Sequence, residues 1–248
     1  IDDMVEKRKI DSAEYLRNIS AAFLHRPFHK MPITAFSIVY LHALAHGNKD
    51  DKKELEGYAL VSNVNFEELI SELINRVNVS EFAHNDVNSD FLPLSNRVIK
   101  TIKENDQFQN NVLAKIEFGS SLTMEMGNIY SGSVFGWLAA GIEDAINKDI
   151  DWSNKEVLLF GYGSGDAAEV IPLIFTNDWK EASTKTSFSN AFKDQYNLSH
   201  QQYLTLRTEK TTNGIDFKLK NQFIVKRIGT EERDDFQDAG IEYYEYLN

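Results

Sequence analysis

Three side chains able to polarise a carbonyl stand in this chain where little bulk surrounds them. Gly127-Asn128-Ile129-Tyr130-Ser131 puts a side-chain amide just ahead of a segment rich in small residues. Phe160-Gly161-Tyr162-Gly163-Ser164-Gly165 ends the apolar run Val157-Leu158-Leu159-Phe160 in a glycine-flanked serine. Far upstream, an imidazole opens the run His25-Arg26-Pro27-Phe28-His29-Lys30-Met31. Donors held around a carbonyl stabilise the negative charge that grows on its oxygen during acyl chemistry. A nucleophile is missing from the set, because the chain contains no cysteine.

Each residue also has a plainer reading. Asn128 precedes a helix, which makes it an N-cap by propensity. The same amide beside a positive helix end can donate to an oxyanion, with Gly127 permitting close approach. Ser164 suits a tight turn. The dinucleotide fingerprint fails there because its last glycine would fall at Asp166. The hydrolase elbow fails because Tyr162 stands where a glycine is needed, and only His200 follows the serine. His25 and His29 are four apart, as are His42 and His46. Pro27 interrupts the first pair, and no glutamate occupies the metalloprotease position in His42-Ala43-Leu44-Ala45-His46. No metal is therefore expected. Lys30 and Arg26 are the natural cations for an anionic ligand tail, although Arg26 reads more simply as a solvated charge.

The elements that must carry these residues follow from periodicity. Residues 12–24 predict an amphipathic helix capped by Asp11 or Ser12, and Pro32 starts a second over 33–46, closed near Gly47. Helices are expected over 55–60, 66–77, 93–115 (one or two), 131–147, 179–192 and 199–209. Residues 84–90 read as a surface loop. Strands are expected over 156–160 and 167–175, the latter kinked at Pro172. Residues 217–219 and 223–228 read as paired strands about a turn at Lys220-Asn221, with an acidic helix over 230–246. No repeat or linker is visible, so the chain reads as one α/β unit with helices in excess.

Composition narrows the function classes. Of 248 residues, 42% are hydrophobic and 26% charged, and the net charge is −12. That charge argues against a nucleic-acid partner but leaves room for a small anionic ligand. No apolar stretch reaches the roughly 20 residues that cross a bilayer, and no signal peptide is visible, so neither a membrane nor export is expected. The missing cysteines exclude disulfides and fit a cytoplasmic protein. The first residue is not methionine, which suggests a piece of something longer.

Taken in order, these motifs resemble the C-terminal half of hydroxymethylglutaryl-CoA synthase, a family of the thiolase superfamily. Ser12-Ala13-Glu14-Tyr15-Leu16 resembles the helix that opens that half. His25-x-Pro27-Phe28-x-Lys30-Met31 is similar to the catalytic histidine motif. Gly127-Asn128-x-Tyr130-Ser131-x-Ser133 and Tyr162-Gly163-Ser164-Gly165 are similar to the asparagine and serine motifs. Phe223-Ile224-Val225-Lys226-Arg227-Ile228, with Arg233 beyond, resembles the C-terminal strand and its basic residue.

The resemblance implies a thiolase-like βαβαβαββ half with additional helices, paired with an N-terminal half in a five-layered α/β fold. It implies a homodimer and ping-pong condensation of acetyl-CoA with acetoacetyl-CoA, with no cofactor beyond these CoA thioesters. The catalytic cysteine and glutamate would lie in the N-terminal half. His25 would position the acetoacetyl group and polarise its keto oxygen, and Asn128 and Ser164 would hydrogen-bond the reacting acyl groups. Lys30 would contact CoA, with Tyr130, Pro27 and Phe28 alongside the substrate. This chain departs from the family in a shorter stretch before His25 and in Thr34, where some members carry a second CoA-contacting lysine. Two other readings remain open. One is a condensing enzyme of the β-branching or ketosynthase III-like kind acting on carrier-bound acyl groups. The other is a non-catalytic thiolase-fold partner subunit.

Overall fold

The computed structural model describes residues 2–75, 91–162, 168–193, 195–209, 211, 214–217 and 220–248. The chain divides into two compact units, Ile1–Phe192 and Lys193–Asn248, although no linker is legible in the sequence between them. In the first, α1 (Asp2–Arg8) and α2 (Ser12–Asn18) precede β1 (Ala21–Leu24). Then come α3 (Met31–His46), α4 (Lys49–Val61), α5 (Phe66–Ile74), α6 (Pro93–Ile102) and α7 (Asp106–Asn111). The 3-10 turns Leu113–Ile116, Leu122–Glu125 and Tyr130–Gly132 lead into α8 (Ser133–Asn147). β2 (Glu156–Tyr162), β3 (Ala168–Ile174), α9 (Trp179–Ser183) and the 3-10 turn Ser189–Phe192 follow.

β2 lies between β1 and β3. It runs parallel to β1, with Ala21 opposite Val157 and Leu24 opposite Phe160, and antiparallel to β3, with Glu156 opposite Ile174. Parallel neighbours require a crossover, which α3 to α8 provide. All four residues of β1 are buried, as a strand covered on its faces requires. The ends of β1 and β2 therefore meet at one edge, where the His25 N–H donates to the Phe160 carbonyl at 2.9 Å. This is the mixed α/β class expected from the sequence; among the described residues the unit's sheet has three strands.

The helix expected over 12–24 ends at Asn18, and its last four residues are β1. Two causes are visible. Lys115 Nζ takes the carbonyls of Arg17 (3.0 Å) and Ile19 (2.6 Å), which a continuing helix would need. The ladder with Val157 to Phe160 then claims the extended backbone. Asp11 is the cap, accepting the Glu14 N–H at 2.9 Å. The helix expected over 55–60 starts earlier, because Asn48 and Asp51 form a reciprocal capping box. The segment 84–90 and Val77 lie outside the described residues. Pro172 sits opposite Leu158 in unbroken register, on the edge strand where a missing N–H matters least. The helix expected over 179–192 stops at Ser183, and the Glu143 carboxylate instead captures the Ser189 N–H at 3.1 Å.

Aromatic rings fill the space between sheet and helices. Phe23 meets Trp137 (centroids 5.9 Å apart) and Trp152 (6.2 Å) edge-on, and Trp152 stacks on Trp179 at 5.7 Å. Gly141 is what lets α8 come so near β1: a Cβ there would sit 2.3 Å from Phe23 Cε1. On the far side, Arg17 ties α2 to α4 through Asp51 (2.6 Å) and Glu54 (2.9 Å), while the hydroxyls of Tyr40 and Tyr58 also donate to Glu54.

The second unit holds α10 (His200–Glu209) and the strands β4 (Gln222–Ile228), β5 (Glu232–Arg233), β6 (Phe236–Gln237) and β7 (Glu242–Leu247). β4 pairs antiparallel with β7, where the sequence suggested an acidic helix over 230–246; of the strand expected over 217–219, Lys218 and Leu219 lie outside the described residues. Glu242-Tyr243-Tyr244-Glu245-Tyr246-Leu247 alternates exposed and half-buried positions, the period of a strand. Buried Asp238 fixes the turn, accepting from the Glu231 N–H (2.8 Å), the Tyr243 hydroxyl (2.9 Å) and Arg227 (3.1 Å).

Candidate functional site

The site begins at the shared edge of β1 and β2. His25, half-buried, is the first residue past β1, and its Nδ1 lies 2.9 Å from Oγ of Ser133, the first residue of α8. Ser133 is 1% exposed and also accepts the Arg26 N–H at 3.1 Å. An unprotonated Nδ1 receives the hydroxyl's one hydrogen. Neutral His25 then carries its own proton on Nε2. Strand end, chain turn and helix start are thus joined through a single buried hydroxyl.

Arg26 is not the solvated charge its sequence context suggests. It is 7% exposed, because the turn after β1 directs it inward between Leu122–Glu125 and α8. Nη1 donates to Thr123 Oγ1 at 2.5 Å, Nη2 donates to His29 Nδ1, and the guanidinium carbon lies 4.7 Å from the centre of the Trp137 ring. Burial pushes its pKa down.

A guanidinium only donates, so His29 accepts through Nδ1 and is neutral in this pairing. Its pKa is held below the usual imidazole value, first by desolvation and then by the charges of Arg26 and Lys30. The folded chain therefore holds this proton less tightly than the unfolded chain, which takes up more protons as pH falls through about 6.5. His29 accordingly contributes stability in full above that pH and loses it on acidification. Denaturation midpoints at pH 5 and 7.5 are expected to converge in His29→Gln relative to the parent. An equal pH dependence in both proteins would contradict this pairing.

Asn128 is not the N-cap of α8, a position held by Gly132. Its Oδ1 instead accepts the Tyr130 N–H at 2.9 Å, forming a local turn in which Gly127 has φ +68° and Tyr130 φ +53°. With the carbonyl end so engaged, the NH₂ end is the part available to a ligand. Asn128 lines a cavity of about 180 Å³ together with Arg26, Pro27, Phe28, Thr123 and Ser133. His25 lines a second, apolar cavity of about 260 Å³ with Val134, Phe135, Leu159 and Ile171. Ser133, which lines the first cavity, hydrogen-bonds His25, which lines the second.

Lys30 and Tyr130 are exposed and line neither cavity. Ser164 lies outside the described residues, two positions beyond the end of β2. His42 Nδ1 is 2.9 Å from the Leu73 carbonyl, and His46 Nδ1 3.1 Å from the His42 carbonyl. No group of three potential metal ligands occurs among the described residues. Sequence reasoning missed Ser133, Thr123 and the burial of Arg26. Ser133 sat within a quoted motif; nothing in the local pattern marks Arg26 as inward-facing.

An α/β unit with donors gathered where two parallel strands end is a thiolase-like arrangement. Residues 2–222 match the family described as hydroxymethylglutaryl-coenzyme A synthase C terminal, and the chain belongs to that family. A solved structure of MvaS in complex with 3-hydroxy-3-methylglutaryl coenzyme A shares the fold over 94% of this chain, at 16% identity and a TM-score of 0.51. This chain covers 42% of that one, less than half its length. No curated protein matches by sequence.

Proposed function

We propose that this chain supplies the histidine–asparagine side of a hydroxymethylglutaryl-CoA synthase, whose nucleophile belongs to an N-terminal half. Acetyl-CoA would first transfer its acetyl group to the cysteine of that half, releasing CoA. A glutamate there would remove a proton from the acetyl methyl, and the resulting carbon would attack the keto carbon of acetoacetyl-CoA. Hydrolysis of the cysteinyl thioester by water would then free the carboxylate of the product. In this scheme His25 donates from Nε2 to the keto oxygen as it gains charge, and Ser133 holds the ring in that tautomer. Asn128 and Ser164 supply further hydrogen bonds to the acyl groups. Lys30 reaches the CoA moiety near the outer surface, with Pro27, Phe28 and Tyr130 along the substrate.

The observation that carries this reading is the Ser133 bridge, which fixes His25 at the joined ends of β1 and β2 in a member of this family. The test is an intact-mass analysis of the purified protein followed by an assay with acetyl-CoA and acetoacetyl-CoA. Formation of HMG-CoA by a preparation that contains a cysteine-bearing half is the expected result. A cysteine-free preparation that neither turns over nor binds CoA would favour a non-catalytic partner subunit. Turnover only of carrier-bound acyl groups would favour the β-branching class.

A further inference from the structure

Arg26 poses a problem of charge that the reaction above does not use. A cation that is 7% exposed is ordinarily paired with a carboxylate, because an uncompensated charge is costly to bury. Among the described residues its partners are a threonine hydroxyl, a neutral imidazole and an indole face, none of them anionic. The ring offsets part of the desolvation. Two of the five guanidinium N–H groups are used, and no partner among the described residues takes the other three. The nearest additional charge on this segment, Lys30, is also positive.

The space beside the guanidinium is sized for a small group. Its volume is about 180 Å³, room for roughly six waters at about 30 Å³ each. That matches the end of a short chain bearing one small polar group. Asn128 lines the same cavity with a donor end left over from its turn. A planar fork plus an amide N–H matches the two oxygens of a carboxylate, a geometry that a lysine point charge does not reproduce. A neutral ketone would leave the positive charge uncompensated.

We propose that Arg26 and Asn128 form a carboxylate subsite in this cavity, which among the species of the proposed reaction fits the free carboxylate of the product and neither neutral acyl substrate. That match rests on the synthase reading; the subsite does not. The probe is malonate, compared with its neutral isostere malonamide, titrated calorimetrically at pH 7.5 into the complete protein that contains this chain. Malonate is expected to bind about tenfold or more tightly than malonamide, the ratio that one charge-assisted hydrogen bond supplies. Arg26→Met is expected to abolish that preference, and Arg26→Lys to retain part of it.

Equal binding of the two probes by the unmutated protein would overturn the proposal, whatever the variants do. So would undiminished malonate binding by an Arg26→Met protein with an unchanged circular dichroism spectrum. Inorganic phosphate bound as tightly as malonate would overturn the carboxylate assignment. Failure to form HMG-CoA from acetyl-CoA and acetoacetyl-CoA would remove the synthase reading and leave these titrations untouched.

Discussion

Alanine at His25 is expected to slow condensation by the complete enzyme about 10²- to 10³-fold, the usual effect of losing one donor to a developing oxyanion. Acetyl transfer to the cysteine is expected to continue, because the proposed contact is to the second substrate. Labelled acetyl-CoA separates the steps: the burst of protein-bound acetyl persists while product formation collapses. Ser133→Ala leaves the imidazole in place and removes what orients it, so a smaller loss of about tenfold to 100-fold is expected in kcat. Turnover that survives His25→Ala unchanged would end the role assigned to that ring.

Trp137→Ala is expected to destabilise the first unit by about 3–5 kcal/mol, the range for deleting a large buried aromatic. The side chain is 1% exposed, meets Phe23 edge-on and donates from Nε1 to the Phe118 carbonyl at 2.8 Å. Its loss opens a cavity, orphans that carbonyl and uncovers the face on which Arg26 lies. The effect should therefore exceed that of Trp137→Phe, which keeps the ring face and loses the hydrogen bond, by about 2 kcal/mol or more. Urea midpoints with unchanged slope would measure both. Similar values for the two variants would mean that the core relaxes around the missing ring.

What the sequence disclosed was governed by the range of the physics involved. The helices over 33–46 and 131–147 are legible because periodicity, Pro32 and Gly47 act locally. β1 was hidden inside an apparent helix because its conformation is imposed from outside, by Lys115 on one side and β2 on the other. β7 reads as helix from its acidic residues, because the alternation that puts Tyr243, Glu245 and Leu247 on the half-buried side belongs to the folded strand and not to residue type. His25 and Asn128 were found through a motif, yet the residue joining His25 to α8, Ser133, becomes evident only when α8 meets β1. Arg26 shows the same limit, since burial is a property of the turn and of Trp137 together.

The hydrogen bond between His25 and Ser133 spans 108 positions of sequence, and that separation shapes how the protein must fold. Closing a loop of that length costs about 4 kcal/mol of chain entropy before any contact across it compensates. Local helices can form early, whereas the parallel ladder of β1 and β2 waits for the whole crossover. The imidazole is thus oriented among the last events of refolding. In a stopped-flow experiment, helical ellipticity should recover ahead of the Trp137 environment, and the competent site should emerge with the slower signal. A nascent chain would carry its histidine for a long stretch of synthesis before it could use it.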